Sequence, residues 1–304
     1  MIGLGFSLQP QYSLPTENVI ALLADAGFSA VSPVWTAEPE LERIAGCAPR
    51  HGLTIQSLHA PHKGIARLWE PDAPDSREAQ ADIFRCVEAC ARFRIPVMVL
   101  HCWQGLRYTF PEEPLDFRFF DTLAERAHKL GVSIALENLE GEEYLAALMA
   151  RYQKLPHIGF CFDSGHDHCY PHKLDFLAQF GPRLLMTHLN DNLGLRDPSG
   201  IPSGDDDLHY LPFDGNLPWE PCLGRLSQAP RQETLNFEFK TRSHSKDPRD
   251  LIYASLSPEA FIQSAAQRAR RIADIYEKML SENAQHKEGT GCTDAAQRCT
   301  EEPV

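Results

Sequence analysis

The chain has 304 residues, 43% of them hydrophobic, and a formal net charge of −13. That length suits one large domain with a sizeable core, and the negative charge argues against bulk attraction to nucleic acid or to an anionic membrane. No apolar run approaches the roughly 20 residues that span a bilayer, and the opening MIGLGFSLQP lacks the basic start and long apolar centre of a secretory signal. The nine cysteines are scattered without paired CxxC spacing, which reads as free thiols in a reducing cytoplasm.

Short apolar runs alternate with longer amphipathic ones. Strands are predicted at 2–8, 30–34, 53–59, 96–101, 132–137, 158–163, 184–188 and 234–239. Between them PTENVIALLADAG predicts a helix with Thr16 as N-cap and Gly27 as terminator. PDSREAQADIFRCVEACARF and PLDFRFFDTLAERAHKLG keep apolar residues at helical spacing. Helix and strand take turns about eight times, which predicts an α/β chain closed into a (β/α)8 TIM barrel. An open doubly wound sheet is the alternative, but neither GxGxxG nor GxxxxGK[ST] is present to support it. Residues 191–215 read as a long Gly/Pro/Asp-rich loop. The barrel domain is expected over 1–282, with 283–304 a disordered polar tail.

The strands end in a common chemistry. The third ends at His59, the fourth at His101, the fifth at Glu137, the sixth at Asp163 and the seventh at His188, and the eighth reaches Glu238. In a parallel barrel these ends share the rim where active sites form. His166 lies one turn beyond Asp163, and Asp207 and His209 form a DLH triplet in the long loop. Imidazoles and carboxylates converging on one rim are the ligand set of a divalent ion such as Zn²⁺ or Mn²⁺. Any one of these histidines alone would read as a hydrogen-bonded structural residue, and each glutamate as a polar cap. The joint pattern favours a metal site, because a bare carboxylate after five apolar residues is costly to bury. The other histidines, His244 and His286 among them, read as surface or structural, with His62 and His168 the exceptions nearest the rim.

The segments SLHAPH, VLHCW, ALENLEG, FDSGHDH, THLNDN, DLHYLPFDGNLPW and NFEFK, in this order, resemble the xylose-isomerase-like TIM barrels. That superfamily holds sugar phosphate isomerases and epimerases together with endonuclease IV. The resemblance covers nearly the whole barrel and is more specific for the superfamily than for the reaction. Its isomerase branch implies one Mn²⁺, Co²⁺ or similar ion on Glu137, Asp163, His188 and Glu238. Glu137 and Glu238 would then be catalytic, moving a proton through an enediolate of a sugar or sugar phosphate. Endonuclease IV implies up to three zinc ions, with His59, His101, His166, Asp207 and His209 as further ligands, and hydrolysis of abasic DNA. A metal-dependent dehydratase or lyase acting on a polyol is a third reading. The segment DLHYLPFDGNLPWE and the length between His188 and Asp207 favour the isomerase branch. So does the want of basic and aromatic rim residues to grip a duplex.

Around these residues His62, Trp103, Asn190 and Lys240 are candidate substrate contacts. The basic stretch KTRSHSKDPR reads as a solvated loop before it reads as a phosphate clamp. The expected partner is a small sugar, with no membrane and with nucleic acid disfavoured. The aromatic loop CWQGLRYTF suits either a homo-oligomer contact or a cover for the pocket.

Overall fold

The structure, a computed structural model, describes residues 1–297 apart from Pro10 and His244. Nine parallel strand segments occupy eight positions around a (β/α)8 barrel. They are β1 (Gly3–Leu8), β2 (Ala30–Pro33), β3 (Thr54–Ile55), β4 (Ser57–His59), β5 (Val97–His101), β6 (Ser133–Glu137), β7 (Ile158–Asp163), β8 (Leu184–His188) and β9 (Thr234–Phe237). The hydrogen-bonded order runs β3-β2-β1-β9 on one side and β4-β5-β6-β7-β8 on the other. The two arcs meet through parallel bridges between Val34 and His59 and between Leu189 and Phe237. The predicted third strand is split at Gln56, whose backbone amide still donates to Val31.

Helices α1 (Thr16–Asp25), α2 (Glu38–Cys47), α3 (Ser76–Phe93), α4 (Arg118–Leu130), α5 (Glu142–Arg151), α6 (Ser164–Cys169), α7 (Phe176–Phe180), α8 (Trp219–Leu226) and α9 (Pro258–Gln297) connect and cover the strands. Their apolar faces pack on Phe6, Leu4, Phe160, Phe162 and Phe237, all essentially without exposure. Thr16 is not the N-cap of α1. Pro15 takes that place, and the Thr16 hydroxyl instead donates to Glu40 Oε1 at 2.6 Å, tying α1 to α2. Where a polar tail was expected from residue 283, α9 continues to Gln297, since a helix once nucleated adds a hydrogen bond with each residue. Residues 298–304 of that expected tail, and His244, lie outside the described residues. Among the described residues no helix is long and apolar enough to cross a membrane.

The loop after β8 is folded rather than open. Asp191 pairs with Tyr210 through a two-way antiparallel bridge. Its buried carboxylate accepts from the amides of Asn192, Phe213 and Leu217 and from Trp219 Nε1, all at 2.8–3.0 Å. Arg196 fastens the middle of the loop, pairing with Asp206 at 3.1 Å and Asp250 at 2.7 Å. A short turn at Gly204–Asp206 is closed by a capping box with Ser203. These bonds set where Asp207 and His209 stand.

Replacing Asp191 with Ala would leave three buried amides and an indole N–H unpaired. We expect a loss of roughly 3–5 kcal/mol, read as a fall in the urea midpoint. A loss under about 1 kcal/mol would show that the loop holds without this hub.

Candidate metal centre

All nine candidate ligands come together at the C-terminal mouth of the barrel. Glu137, Asp163, His188 and Glu238 form the base, their donor atoms all within 4.8 Å of one another. They come from the ends of four adjacent strands, β6 through β9, and none is more than 6% exposed. His188 Nδ1 lies 3.0 Å from Glu137 and 2.9 Å from Glu238. Two further clusters flank this base. His59 and His101 converge on Glu137 Oε2 at 3.2 and 3.3 Å. His166, Asp207 and His209 form the other, with His209 Nε2 at 2.9 Å and His166 Nε2 at 3.7 Å from Asp207 Oδ2.

Neighbouring residues aim these groups. Asp163 caps α6 by accepting from the His166 amide at 2.7 Å, which orders both ligands with one bond. Asn190 donates its amide to both oxygens of Asp163, at 2.9 and 3.1 Å. A methyl group at Gly165 would overlap Asn190, so this approach requires glycine. His209 adopts a left-handed φ of 50°, and its Nδ1 bonds the Glu238 carbonyl at 3.1 Å.

The electrostatics are those of closely packed opposite charges. Burial would lower the His188 imidazole, but the Cys161 thiol and the carboxylates of Glu137 and Glu238 raise it well above the ordinary value. His166 is likewise penalised by burial and carried upward by Asp163 and Asp207. Burial also penalises the Glu137 and Asp207 carboxylates. His188 and His101 nevertheless hold Glu137 well below the usual range, and His209 and His166 do the same for Asp207. Asp163 is pushed up to about 6 by its burial, which His166 only partly offsets. His188 Nε2, His101 Nδ1 and Asp207 Oδ1 are buried with no hydrogen-bond partner. Unpartnered imidazole nitrogens and a carboxylate oxygen within a set of convergent donors fit a divalent ion.

A pocket of about 200 Å³ opens beside these groups. His59, His101, His166, Asp207, His209 and Glu238 line it, and Glu137, Asp163 and His188 lie buried beneath. Its walls include Gln9, His62, Gln104, Leu139, Glu140, Tyr170 and Lys240. The His62 ring stacks on His101 at 6.0 Å. Lys240 Nζ lies 4.0 Å from Asp207, while Arg249, at the far end of the same basic stretch, is exposed and paired with Asp247. Asn190 is fully buried behind Asp163 and does not line the pocket. Trp103 is outside it too, stacked on Tyr144 with centroids 4.3 Å apart. His168 bonds Asn216 at 2.6 Å, away from the floor. Sequence reasoning missed Cys161, whose thiol clusters with Glu137 and His188 and whose pKa burial pushes up to about 12. It also missed Gln9, which donates to Glu238 Oε1 at 2.5 Å. Alternation along IGFCFD could have placed Cys161 on the face of Asp163, two residues on.

A family profile described as "Xylose isomerase-like TIM barrel" matches residues 20–278. The chain belongs to the xylose isomerase-like TIM barrel family. Within the curated proteins it is 35% identical to the uncharacterized protein y4fM of Sinorhizobium fredii, over 89% of this chain and 91% of that one. Of the solved structures, IolI protein with a bound zinc atom superposes with a TM-score of 0.67 at 17% identity, covering 92% of this chain and 99% of that one. L-ribulose 3-epimerase gives 0.68 at 13% identity, covering 94% and 98%. D-psicose 3-epimerase with D-tagatose, from Clostridium cellulolyticum H10, gives 0.60 at 13%, covering 92% and 99%. These likenesses concern the barrel that this xylose isomerase-like chain shares with them.

Asn190→Ala would leave Asp163 free to turn. We expect zinc or manganese affinity to fall about 10–100-fold, measured by competition with a chromogenic chelator. An unchanged affinity would show that Asn190 does not orient a ligand. Because His166 and His188 hold protons above the ordinary histidine range, an ion must displace those protons. Metal affinity is therefore expected to rise with pH above about 6.5 and to fall on acidification. Calorimetry at several pH values in buffers of different ionisation enthalpy would detect the released protons. An affinity independent of pH would contradict this linkage.

Proposed function

We propose that this chain is a divalent-metal-dependent sugar isomerase or epimerase. Glu137, Asp163, His188 and Glu238 would hold the ion, of which Mn²⁺, Co²⁺ and Zn²⁺ all suit the donor set. The observation that carries this reading is the four-residue cluster from four consecutive strand ends, its donors within 4.8 Å, of which Glu238 lines an adjoining pocket. When bound, the ion would supply Lewis acidity toward a substrate carbonyl and its neighbouring hydroxyl.

The chain's own residues would do the rest. Glu137 and Glu238 both reach His188 Nδ1, so they face one small volume from two strands. Their depressed pKa values keep them ionised and able to accept a proton from the carbon beside a carbonyl. Return of that proton to the neighbouring carbon isomerises the sugar, and return to the opposite face epimerises it. Gln9 fixes the Glu238 carboxylate. His62 and Lys240 stand on the wall, where they would hold substrate hydroxyls or a phosphate. Asn190 and Trp103, which lie outside the pocket, would take supporting roles: Asn190 steadies Asp163, and Trp103 stacks on Tyr144.

The flanking clusters favour a second reading, a zinc phosphodiesterase with two or three ions. Lys240 is the one Lys or Arg lining the pocket among the described residues, which is little for gripping a DNA backbone. A dehydratase or lyase on a polyol would use the same proton abstraction.

The test joins metal content with proton exchange. Protein purified without chelator is expected to carry manganese, cobalt or zinc by mass spectrometry. It should also exchange deuterium from D2O into ketoses beside the carbonyl. Glu137→Gln and Glu238→Gln should each slow that exchange about 10²–10⁴-fold. Two or three zinc ions with cleavage of abasic DNA and no sugar exchange would establish the second reading instead.

A further inference from the structure

A second cavity, of about 380 Å³, adjoins the metal pocket. It is set between the loops after β1 and β2 and helices α1 and α2, and Gln9 and Val34 line both. Gln9 marks the junction, since its amide donates to Glu238 on the metal side. Val34 is bridged to His59. The metal pocket alone, about 200 Å³, is smaller than the roughly 300–1,000 Å³ of most small-molecule sites. Joined to the side cavity it falls within that range.

The side cavity has a chemistry unlike the pocket's. Leu8, Leu14, Val19 and Ile44 give it an aliphatic wall. Tyr12 adds an aromatic face and a buried hydroxyl that has no hydrogen-bond partner. Buried hydroxyls are ordinarily satisfied, so this one is suited to a ligand acceptor. The acidic group on the wall, Glu40, is engaged by the Thr16 hydroxyl and by Arg43. Among the described residues no Lys or Arg lines it to hold an anion. A bare monosaccharide would leave this apolar surface unfilled.

Resting on the metal-pocket reading above, we propose that the side cavity is a second substrate subsite. It takes a neutral aryl or short alkyl substituent carried by the sugar, with Tyr12 donating a hydrogen bond to an acceptor on that substituent. The substrate is then a substituted sugar with its carbonyl left free, such as a ketose carrying a small aryl ether at the end remote from that carbonyl, whose head lies over the cluster and whose tail passes Gln9.

The experiment compares 6-O-(4-nitrobenzyl)-D-fructose with 6-O-methyl-D-fructose by calorimetry on manganese-loaded protein. Both probes have the same head. The aryl probe is expected to bind at least tenfold more tightly. Thr36→Trp, at the exposed mouth of the side cavity, should bring the ratio of affinities close to one. Tyr12→Phe should weaken the aryl probe several-fold. Equal affinities in the unaltered protein, no binding of the aryl probe, or an aryl preference that survives Thr36→Trp would overturn the subsite. Repeating both titrations after chelation separates the two readings. Loss of binding of the methyl ether supports the metal pocket whatever the ratio. Binding of both probes that chelation leaves unchanged overturns the metal-pocket reading, and the coupled subsite with it.

Discussion

The structure depends on keeping charge at the mouth of the barrel, where water is scarce. Glu137, Asp163 and Glu238 are buried carboxylates a few ångströms apart. Isolated, each would be expensive to desolvate, and together they would repel. The barrel resolves this by interleaving imidazoles, so that His188 touches two carboxylates at once. Everything nearby serves that arrangement: Asn190 on Asp163, Gln9 on Glu238, and the His209 ring anchored to the Glu238 carbonyl. Such spacing favours a positive charge among the carboxylates, which the imidazoles supply by holding protons.

Much of this was legible in the sequence because parallel barrels repeat. A strand that ends in His, Asp or Glu sends that side chain to a shared rim, so order along the chain becomes proximity in space. Asp163 and His166 were readable as a pair because a helix begins between them. The residues that were not legible owe their place to packing. Nothing around Gln9 in FSLQPQ announces that it will reach a glutamate 229 residues away. Trp103, two residues past His101, turns toward Tyr144 because the left-handed Gly141 opens a flat space for its ring. Sequence proximity to a ligand gives position on the rim but not direction.

The opening of the loop after β8 shows one short stretch dividing its labour. In His188–Asp191, the histidine joins the cluster, the asparagine steadies the neighbouring strand's aspartate, and the second aspartate ties down the loop. Asp191 and Asp163 are both buried carboxylates, yet they differ in purpose. Asp191 is surrounded by amide and indole donors, which consume its acceptor capacity. Asp163 accepts from the Asn190 side chain and the His166 amide, and its other neighbours are the imidazoles and carboxylates of the cluster.

The clamp of Arg196 on Asp206 and Asp250 separates the centre into two tiers of permanence. The base set rides on hydrogen-bonded strands, whose opening requires the barrel itself to open. Asp207 and His209 ride on a loop fastened by a handful of polar bonds, which can detach while the barrel stays whole. The cluster of His166, Asp207 and His209 therefore depends on the local stability of that loop, whereas the four-residue base depends on the barrel itself. Edits confined to that loop would remake one cluster and leave Glu137 and Glu238 where they stand.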